Sequence, residues 1–189
     1  MIKKLRQDTL KEICFLSGPA TKDYLHDMAI CQQYASLNRV TMANQILKGM
    51  FGKTLKEYEY FQTVHNYINF DDNIIRKGAI SAKKGERVLI PLNMRDGAIL
   101  GIGKGNTDWN CSAPHGAGRI LSRSRAKDVL TLEEFEQSMQ GIYTTSVSTS
   151  TLDESPMAYK PKEAILSVIG ETVDVLEVIK PVYNFKASE

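Results

Sequence analysis

His115 stands in the stretch of this 189-residue sequence that is best suited to chemistry. It lies among small residues in Cys111–Arg119 (CSAPHGAGR), directly before a predicted helix. Small side chains let a ligand approach the backbone closely, and the start of a helix presents unpaired N–H groups that attract phosphate. An imidazole beside such an anion site is a candidate nucleophile toward phosphorus. A structural histidine in a glycine turn is the alternative, and local residue types leave both open.

Two arginines follow this histidine on the helix that we predict over Arg119–Lys127. Arg119 and Arg123 are four positions apart, so in a helix they share one face. Positive charge beside an anion site is suited to binding RNA phosphates. A solvated helix face is the alternative for the same run of charge.

The other histidines carry weaker signals. His65 falls in an apolar–polar alternation, on its polar side, and a neutral imidazole is a common metal ligand. No second ligand is near it in sequence, so spacing alone does not predict a metal site. We interpret His26 as a surface residue of a helix. Gly101–Gly105 (GIGKG) lacks the Ser or Thr and the helix that a phosphate-binding P-loop requires after its lysine, so it predicts a turn.

Periodicity and turn signals predict an α+β fold, with N-terminal helices followed by a strand-rich core. No linker divides the chain, so we expect a single domain over residues 1–189. The predicted helices are one around Thr9–Leu16, one from Thr21 to about Met50, Arg119–Lys127, one beginning at Thr131 with a capping box to Glu134, and Lys162–Gly170. The predicted strands are Asn73–Ile80, Arg87–Pro91, Ala98–Ile102 and Val173–Phe185, and Gly141–Pro156 is predicted as a surface loop.

The composition is that of a globular protein, with 42% apolar and 24% charged residues. A net charge of +2 says little about partners, because the distribution of charge decides binding. No apolar run is long enough to span a bilayer, and the N-terminus lacks the apolar core of a signal peptide. Cys14, Cys31 and Cys111 are odd in number and irregularly spaced, which argues against a disulfide framework. We therefore expect a cytoplasmic protein without a membrane partner.

The run Ala113–Ala126 (APHGAGRILSRSRA) resembles the most specific motif of the RtcB family of RNA-splicing ligases. Further segments resemble that family in the same order along nearly the whole chain. They are Tyr34-Ala35 with Asn38-Arg39, His65–Ile68, Arg76–Ala79 with Ile90-Pro91, Pro156–Lys160, and Lys180-Pro181 with Lys186.

The resemblance implies a GTP- and Mn²⁺-dependent RNA ligase that acts in tRNA splicing and RNA repair. In that family a histidine attacks the α-phosphorus of GTP, the GMP passes to an RNA 3′-phosphate, and a 5′-hydroxyl attacks the activated end. His115 stands at the position of the nucleophile and His65 at that of a manganese ligand. The implied nucleotide-binding residues are Asn66, Pro91, Leu92, Asn93, Met94, Gly116, Ala117, Gly118 and Lys186, with Lys186 at the guanine.

The match departs from the family pattern in two ways. The usual proline-glycine-serine-methionine loop is here Pro91–Met94 (PLNM), a following serine is Ala98, and Lys186 is followed by Ala187 and further residues. The family's other metal ligands lie N-terminal to every matched segment. We therefore expect the C-terminal portion of the domain, inactive without its N-terminal half. The expected partners are RNA ends carrying 3′-phosphate (or 2′,3′-cyclic phosphate) and 5′-hydroxyl groups, a separate chain with the missing ligands, and archease. A non-catalytic nucleotide- or RNA-binding remnant of the same fold is the alternative.

Overall fold

A computed structural model of the protein describes residues 16–186. The chain forms two compact units, the first ending at Tyr60 and the second beginning at Phe61. Helices and antiparallel sheets together confirm the α+β class, whereas the single domain expected over residues 1–189 stays a prediction. Within residues 16–186, no helix is long and apolar enough to cross a membrane. The helix predicted around Thr9–Leu16 lies, except for its last residue, outside the described residues.

From residue 16 onward, the first unit contains one long helix, α1 (Pro19–Phe51). It begins two residues before the predicted N-cap Thr21, because Pro19 occupies the first turn, where its missing N–H costs nothing. It ends at Gly52, a left-handed residue at φ 65° whose N–H donates to Lys48. A short 3₁₀ turn, Leu55–Glu57, follows.

The second unit is built on two three-stranded antiparallel sheets. The first has the order β1-β2-β5 and the second the order β3-β4-β7, while β6 and β8 form a short parallel pair. The strands are β1 (His65–Asn69), β2 (Ile74–Ser81), β3 (Arg87–Asn93), β4 (Gly97–Gly103), β5 (Ser112–Pro114), β6 (Tyr143–Thr144), β7 (Val173–Ile179) and β8 (Tyr183–Asn184). The helices are α2 (Arg123–Val129), α3 (Leu132–Ser138) and α4 (Lys162–Ile169), with 3₁₀ turns at Thr107–Trp109, Thr149–Glu154 and Pro156–Ala158.

The core of this unit consists of two clusters of buried apolar side chains. The larger joins the two sheets to α4 and includes Ile80, Ile90 and Ile169. The smaller surrounds Phe135 of α3, which is completely buried. The strands predicted over Asn73–Ile80, Arg87–Pro91 and Ala98–Ile102 are confirmed as β2, β3 and β4. Along β3 and β4, buried and less buried side chains alternate with the two-residue period of a strand.

Two predicted elements are shorter than expected. The helix predicted over Arg119–Lys127 begins only at Arg123, because Ser122 is its N-cap and accepts a hydrogen bond from the N–H of Arg125. The backbone of Arg119 instead forms an isolated antiparallel β-bridge with that of Tyr159. The strand predicted over Val173–Phe185 breaks after β7, at Lys180–Val182, and resumes as β8. Pro181 lies in this break and lacks the N–H that a continuing ladder needs.

The prediction of a surface loop over Gly141–Pro156 was wrong, because much of this segment is buried. Thr151, Asp153 and Ser155 are each less than 5% exposed. Their polar groups are satisfied inside the protein, as when the Thr151 hydroxyl donates to the carbonyl of Ser146. A polar sequence can thus be buried when its hydrogen bonds are made locally.

The turn predicted over Gly101–Gly105 was wrong for its first three residues, which belong to β4, and Gly101 and Gly103 serve packing there. A Cβ on Gly101 would lie 2.4 Å from Val173 Cγ1, and one on Gly103 would lie 2.5 Å from the backbone of Ala82. Both glycines are in β4, so they allow neighbouring chain segments to approach it closely.

We expect Gly101→Ala to destabilise the protein by about 1–3 kcal/mol, because the added methyl group cannot fit without moving β7 away from β4. Gly170→Ala is the matched control, since a Cβ there meets no atom within 4 Å and the backbone is right-handed helical. Its expected effect is between zero and about 1 kcal/mol of stabilisation. Urea unfolding curves measure both, and equal midpoints for the two variants would contradict this interpretation.

Candidate active site

A cavity of 680 Å³ in the second unit brings together nearly all the residues predicted to act on a nucleotide. Of the residues predicted from the sequence as site residues, those that line the cavity are His65, Pro91, Leu92, Asn93, Met94, His115, Gly116, Ala117, Gly118, Arg119, Arg123 and Lys186. Glu154, Tyr159 and Asn184 also line it, and none of these was predicted as a site residue. Residues from both sheets, from the start of α2 and from the segment after β7 therefore converge on one space.

His115 follows directly after β5 and is held by one short hydrogen bond. Its Nδ1 lies 2.6 Å from the carbonyl oxygen of Gly78 in β2. A carbonyl oxygen can only accept, so Nδ1 carries the proton and donates it. In the neutral ring the lone pair is then on Nε2, so Nε2 is the ring nitrogen that can act as a nucleophile.

The His65 ring is stacked on the His115 ring. Their centroids are 4.9 Å apart and their planes are inclined by 28°. His65 is the first residue of β1, and β1 pairs with β2, which in turn pairs with β5, so one sheet places both histidines. Residues 16–186 contain no cluster of three or more His, Cys, Asp or Glu that could hold a metal ion.

The small residues after His115 lie against β3. The N–H of Ala117 donates to the carbonyl of Pro91 at 3.2 Å, and a Cβ on Gly116 would lie 3.0 Å from that same oxygen. Gly118 has a φ of +70°, a conformation that favours glycine. The close packing against β3 requires small residues here, and the same small residues leave the backbone open to a ligand.

The Pro91–Met94 segment is fixed by its own side chains. Leu92 and Met94 are buried in the larger and the smaller core cluster, respectively. The Asn93 side-chain oxygen accepts from the N–H groups of Arg95 and Asp96, which closes the turn to β4. These contacts determine the wall of the cavity at this edge.

Asn66 is the one predicted nucleotide-binding residue that is not among the lining residues. It has a φ of +57°, and its side-chain oxygen accepts a hydrogen bond of 2.9 Å from the N–H of Gly78. The carbonyl of the same Gly78 accepts the hydrogen bond from His115, so Asn66 is linked to the candidate nucleophile through the backbone of Gly78.

Asp153 and Glu154, termed here the acidic pair, hold the cations at the other side of the cavity. Arg123 Nη1 lies 2.5 Å from an Asp153 carboxylate oxygen and 3.0 Å from one of Glu154. Lys186 Nζ lies 3.1 Å from Glu154. Arg119 donates to the backbone carbonyl of Asp153, and its guanidinium carbon lies 4.8 Å from the centre of the Tyr159 ring. The predicted shared helix face was wrong, because only Arg123 belongs to the helix; Arg119 and Arg123 instead meet at the acidic pair.

The charges of this cluster shift three pKa values, and that of Arg123 is raised by its hydrogen bond to Asp153 and by the charge of Glu154. Burial would raise the pKa of Glu154, but the hydrogen bond and charge of Lys186, with help from Tyr159 and Arg119, lower it overall. Burial, followed by the hydrogen bond to Glu154, raises the pKa of Tyr159 to about 12. Both residues could have been noticed in the sequence, since the acidic pair precedes the Pro156–Lys160 segment that carries the family resemblance.

Comparison with known proteins agrees with the motif. A sequence model described as tRNA-splicing ligase RtcB matches residues 2–187. The RNA-splicing ligase RtcB of Escherichia coli strain K12 is 31% identical over 178 residues, which cover 87% of this chain and 43% of that protein. RtcB1 of a second Escherichia coli strain is 33% identical with the same coverage. The tRNA-splicing ligase RtcB of Aeropyrum pernix is 28% identical, covering 80% of this chain and 38% of its own length. The chain spans about two fifths of the length of these relatives.

We expect Glu154→Gln to destabilise the protein by about 1–3 kcal/mol at pH 7, because Lys186 and Arg123 lose a charged acceptor. A pKa lowered from 4.5 means that the carboxylate stabilises the fold above about pH 4.5. That contribution is lost as the pH falls through the pKa of the folded state. Urea unfolding at pH 7 and at lower pH should therefore show the gap to wild type shrinking, while the exposed control Glu136→Gln should show no comparable gap. If the difference in unfolding free energy between wild type and Glu154→Gln stayed the same at both pH values, the stabilising role of the Glu154 carboxylate would be contradicted.

Proposed function

Because the chain belongs to the tRNA-splicing ligase RtcB family, we propose that it carries the GMP-accepting part of an RNA ligase site, with His115 as the nucleophile. The substrates are GTP and RNA ends that bear a 3′-phosphate, or a 2′,3′-cyclic phosphate, and a 5′-hydroxyl. The reaction class is joining of such ends in tRNA splicing or RNA repair.

The observation that carries this proposal is the hydrogen bond from His115 Nδ1 to Gly78. It assigns the lone pair to Nε2 of a residue that lines a 680 Å³ cavity. A cavity of this size falls in the range of small-molecule sites. Lys186, Arg119 and Arg123 supply positive charge along its lining, which suits a nucleotide phosphate.

The proposed chemistry conserves atoms at each step. The Nε2 lone pair attacks the α-phosphorus of GTP, an N–P bond forms, and the P–O bond to pyrophosphate breaks. An oxygen of the RNA 3′-phosphate then displaces His115 and takes the GMP. Finally the 5′-hydroxyl attacks the RNA phosphorus and loses its proton to solvent, the P–O bond to GMP breaks, and GMP leaves. An end with a 2′,3′-cyclic phosphate first adds water, which opens the ring to the 3′-phosphate. The residues of this chain position groups and neutralise phosphate charge, which is the main demand of phosphoryl transfer.

The manganese that the family uses does not fit the donor set of the described residues. His65 is the one predicted ligand, and residues 16–186 contain no group of three possible ligands. A single imidazole does not hold a divalent metal ion. The proposed activity therefore needs metal ligands from outside the described residues. A separate polypeptide that supplies them is a proposed partner, as is archease.

A covalent-labelling experiment tests the proposal. We expect the chain, incubated with α-³²P-GTP, Mn²⁺ and a polypeptide carrying the N-terminal part of a full-length relative, to acquire an acid-labile label. His115→Ala should abolish this label, because the phosphorus acceptor is gone. His26→Ala, an exposed histidine of α1, is the matched control and should label normally.

The outcomes separate two functions. No label on the wild-type chain, even with the complementing polypeptide, would exclude the ligase proposal. GTP binding without any label would favour the non-catalytic binding module. One observation favours that second candidate: Leu92 and Met94 are buried in the core and Asn93 closes a turn, in the segment that departs from the family pattern.

RNA binding provides a second test. Arg123 is the more open of the two arginines, since its side chain is 62% exposed and that of Arg119 is 23% exposed. We expect Arg123→Ala to weaken RNA binding and to reduce the slope of log K against log salt by about one unit, as for one lost phosphate contact. Arg125→Ala, another exposed arginine of α2, is the control. Filter binding over a salt series measures the slope, and an unchanged slope for Arg123→Ala would rule out that contact.

A further inference from the structure

We propose that Asn66 is a positioning residue for His115, acting through the backbone of Gly78. The inference rests on the role proposed above for His115 as nucleophile. It gives Asn66 a task beyond the nucleotide binding that the family resemblance implies.

An irregularity in the pairing of β1 with β2 places Asn66 opposite Gly78. His65 pairs with Ile80 and Tyr67 with Arg76, so three residues of β2 face the single residue Asn66. Regular ladder bonds cannot form across such a bulge. The Asn66 side-chain oxygen accepts the Gly78 N–H in their place, at 2.9 Å.

Both polar groups of Gly78 are thereby engaged. Its N–H donates to Asn66, and its carbonyl accepts from His115 Nδ1 at 2.6 Å. Gly78 has a φ of +71° and Asn66 a φ of +57°. Glycine and asparagine are among the residues that adopt this conformation most readily. Anchoring the N–H restricts the rotation of Gly78, and this rotation sets the direction of its carbonyl.

The direction of this carbonyl determines two properties of His115. It fixes the plane of the ring beside His65, and it selects the tautomer with the proton on Nδ1. Partners of this indirect kind typically change activity by about 10- to 100-fold when removed. Because Asn66 is linked to His115 through Gly78, its loss should change the reactivity of His115 more than the affinity for GTP.

Two substitutions separate the hydrogen bond from the backbone conformation. Asn66→Gly keeps the positive φ available but removes the acceptor. Asn66→Asp keeps an acceptor oxygen and tolerates the same φ. Asn73→Gly is the matched control, since Asn73 also has a φ of +57° but lies in the turn between β1 and β2.

The primary measurement is ¹⁵N NMR of the histidine side chains in the full chain without nucleotide. We expect His115 of the wild-type protein, of Asn66→Asp and of Asn73→Gly to show the Nδ1–H tautomer. Asn66→Gly should show a mixture of tautomers. A wild-type His115 with its proton on Nε2, or an unchanged tautomer in Asn66→Gly, would overturn the proposal.

The second measurement is the rate of GMP labelling in the presence of the complementing polypeptide, together with the Kd for GTP. We expect Asn66→Gly to slow labelling about 10- to 100-fold with a Kd within about twofold of wild type. An equal loss in Kd would instead support direct nucleotide contact. If the wild-type chain never labels, the proposed function fails, while the NMR result still decides the role of Asn66.

Discussion

The pairing of β2 with β5 is the constraint on which the site depends. It comprises only three residue pairs, Ala79 with Pro114, Ile80 with Ala113 and Ser81 with Ser112. Because His115 directly follows the last residue of β5, this short ladder places the imidazole beside Gly78. A shift of one residue in the register would send Ala113 out of the core and His115 away from its partner.

A buried charge stabilises that register. Arg76 of β2 is 2% exposed, and its guanidinium donates to the Ser112 hydroxyl at 2.9 Å and to the Asn110 carbonyl at 3.2 Å. Asp72 lies 3.4 Å away and balances the charge. A buried guanidinium is tolerated only when its donors are satisfied, so these partners are specific to one register. The acidic pair has the corresponding role on the opposite side of the cavity, where four basic side chains compete for two carboxylates.

Sequence reasoning found the parts of this site that depend on local signals. The motif around His115 and the central strands follow from residue type and period. The N-cap Ser122 is a local signal that was missed, and it displaces the start of α2. Two other missed features depend on distant contacts. Asp153, in the polar segment before Pro156, meets cations from elsewhere in the chain, and Tyr159 receives its role through Arg119 as well as the nearby Glu154. The hydrogen bond between Asn66 and Gly78 could not be read from the sequence, because it depends on a bulge in strand pairing.

A few long-range contacts attach the wall of the cavity that Asn184 and Lys186 form. They are the pairing of β8 with β6, the ion pair of Lys186 with Glu154, an Asn184 hydrogen bond to the Met94 carbonyl and a Lys186 hydrogen bond to Ser146. The two hydrogen bonds join segments 90 and 40 residues apart in the chain. Both sheets can stay folded while these few bonds open, since local opening needs less free energy than global unfolding. A ligand that contacts this wall binds only the docked form, so its observed affinity includes the docking equilibrium. The strength of binding at this cavity is therefore set partly by how firmly the last strand is attached, in addition to the groups that touch the ligand.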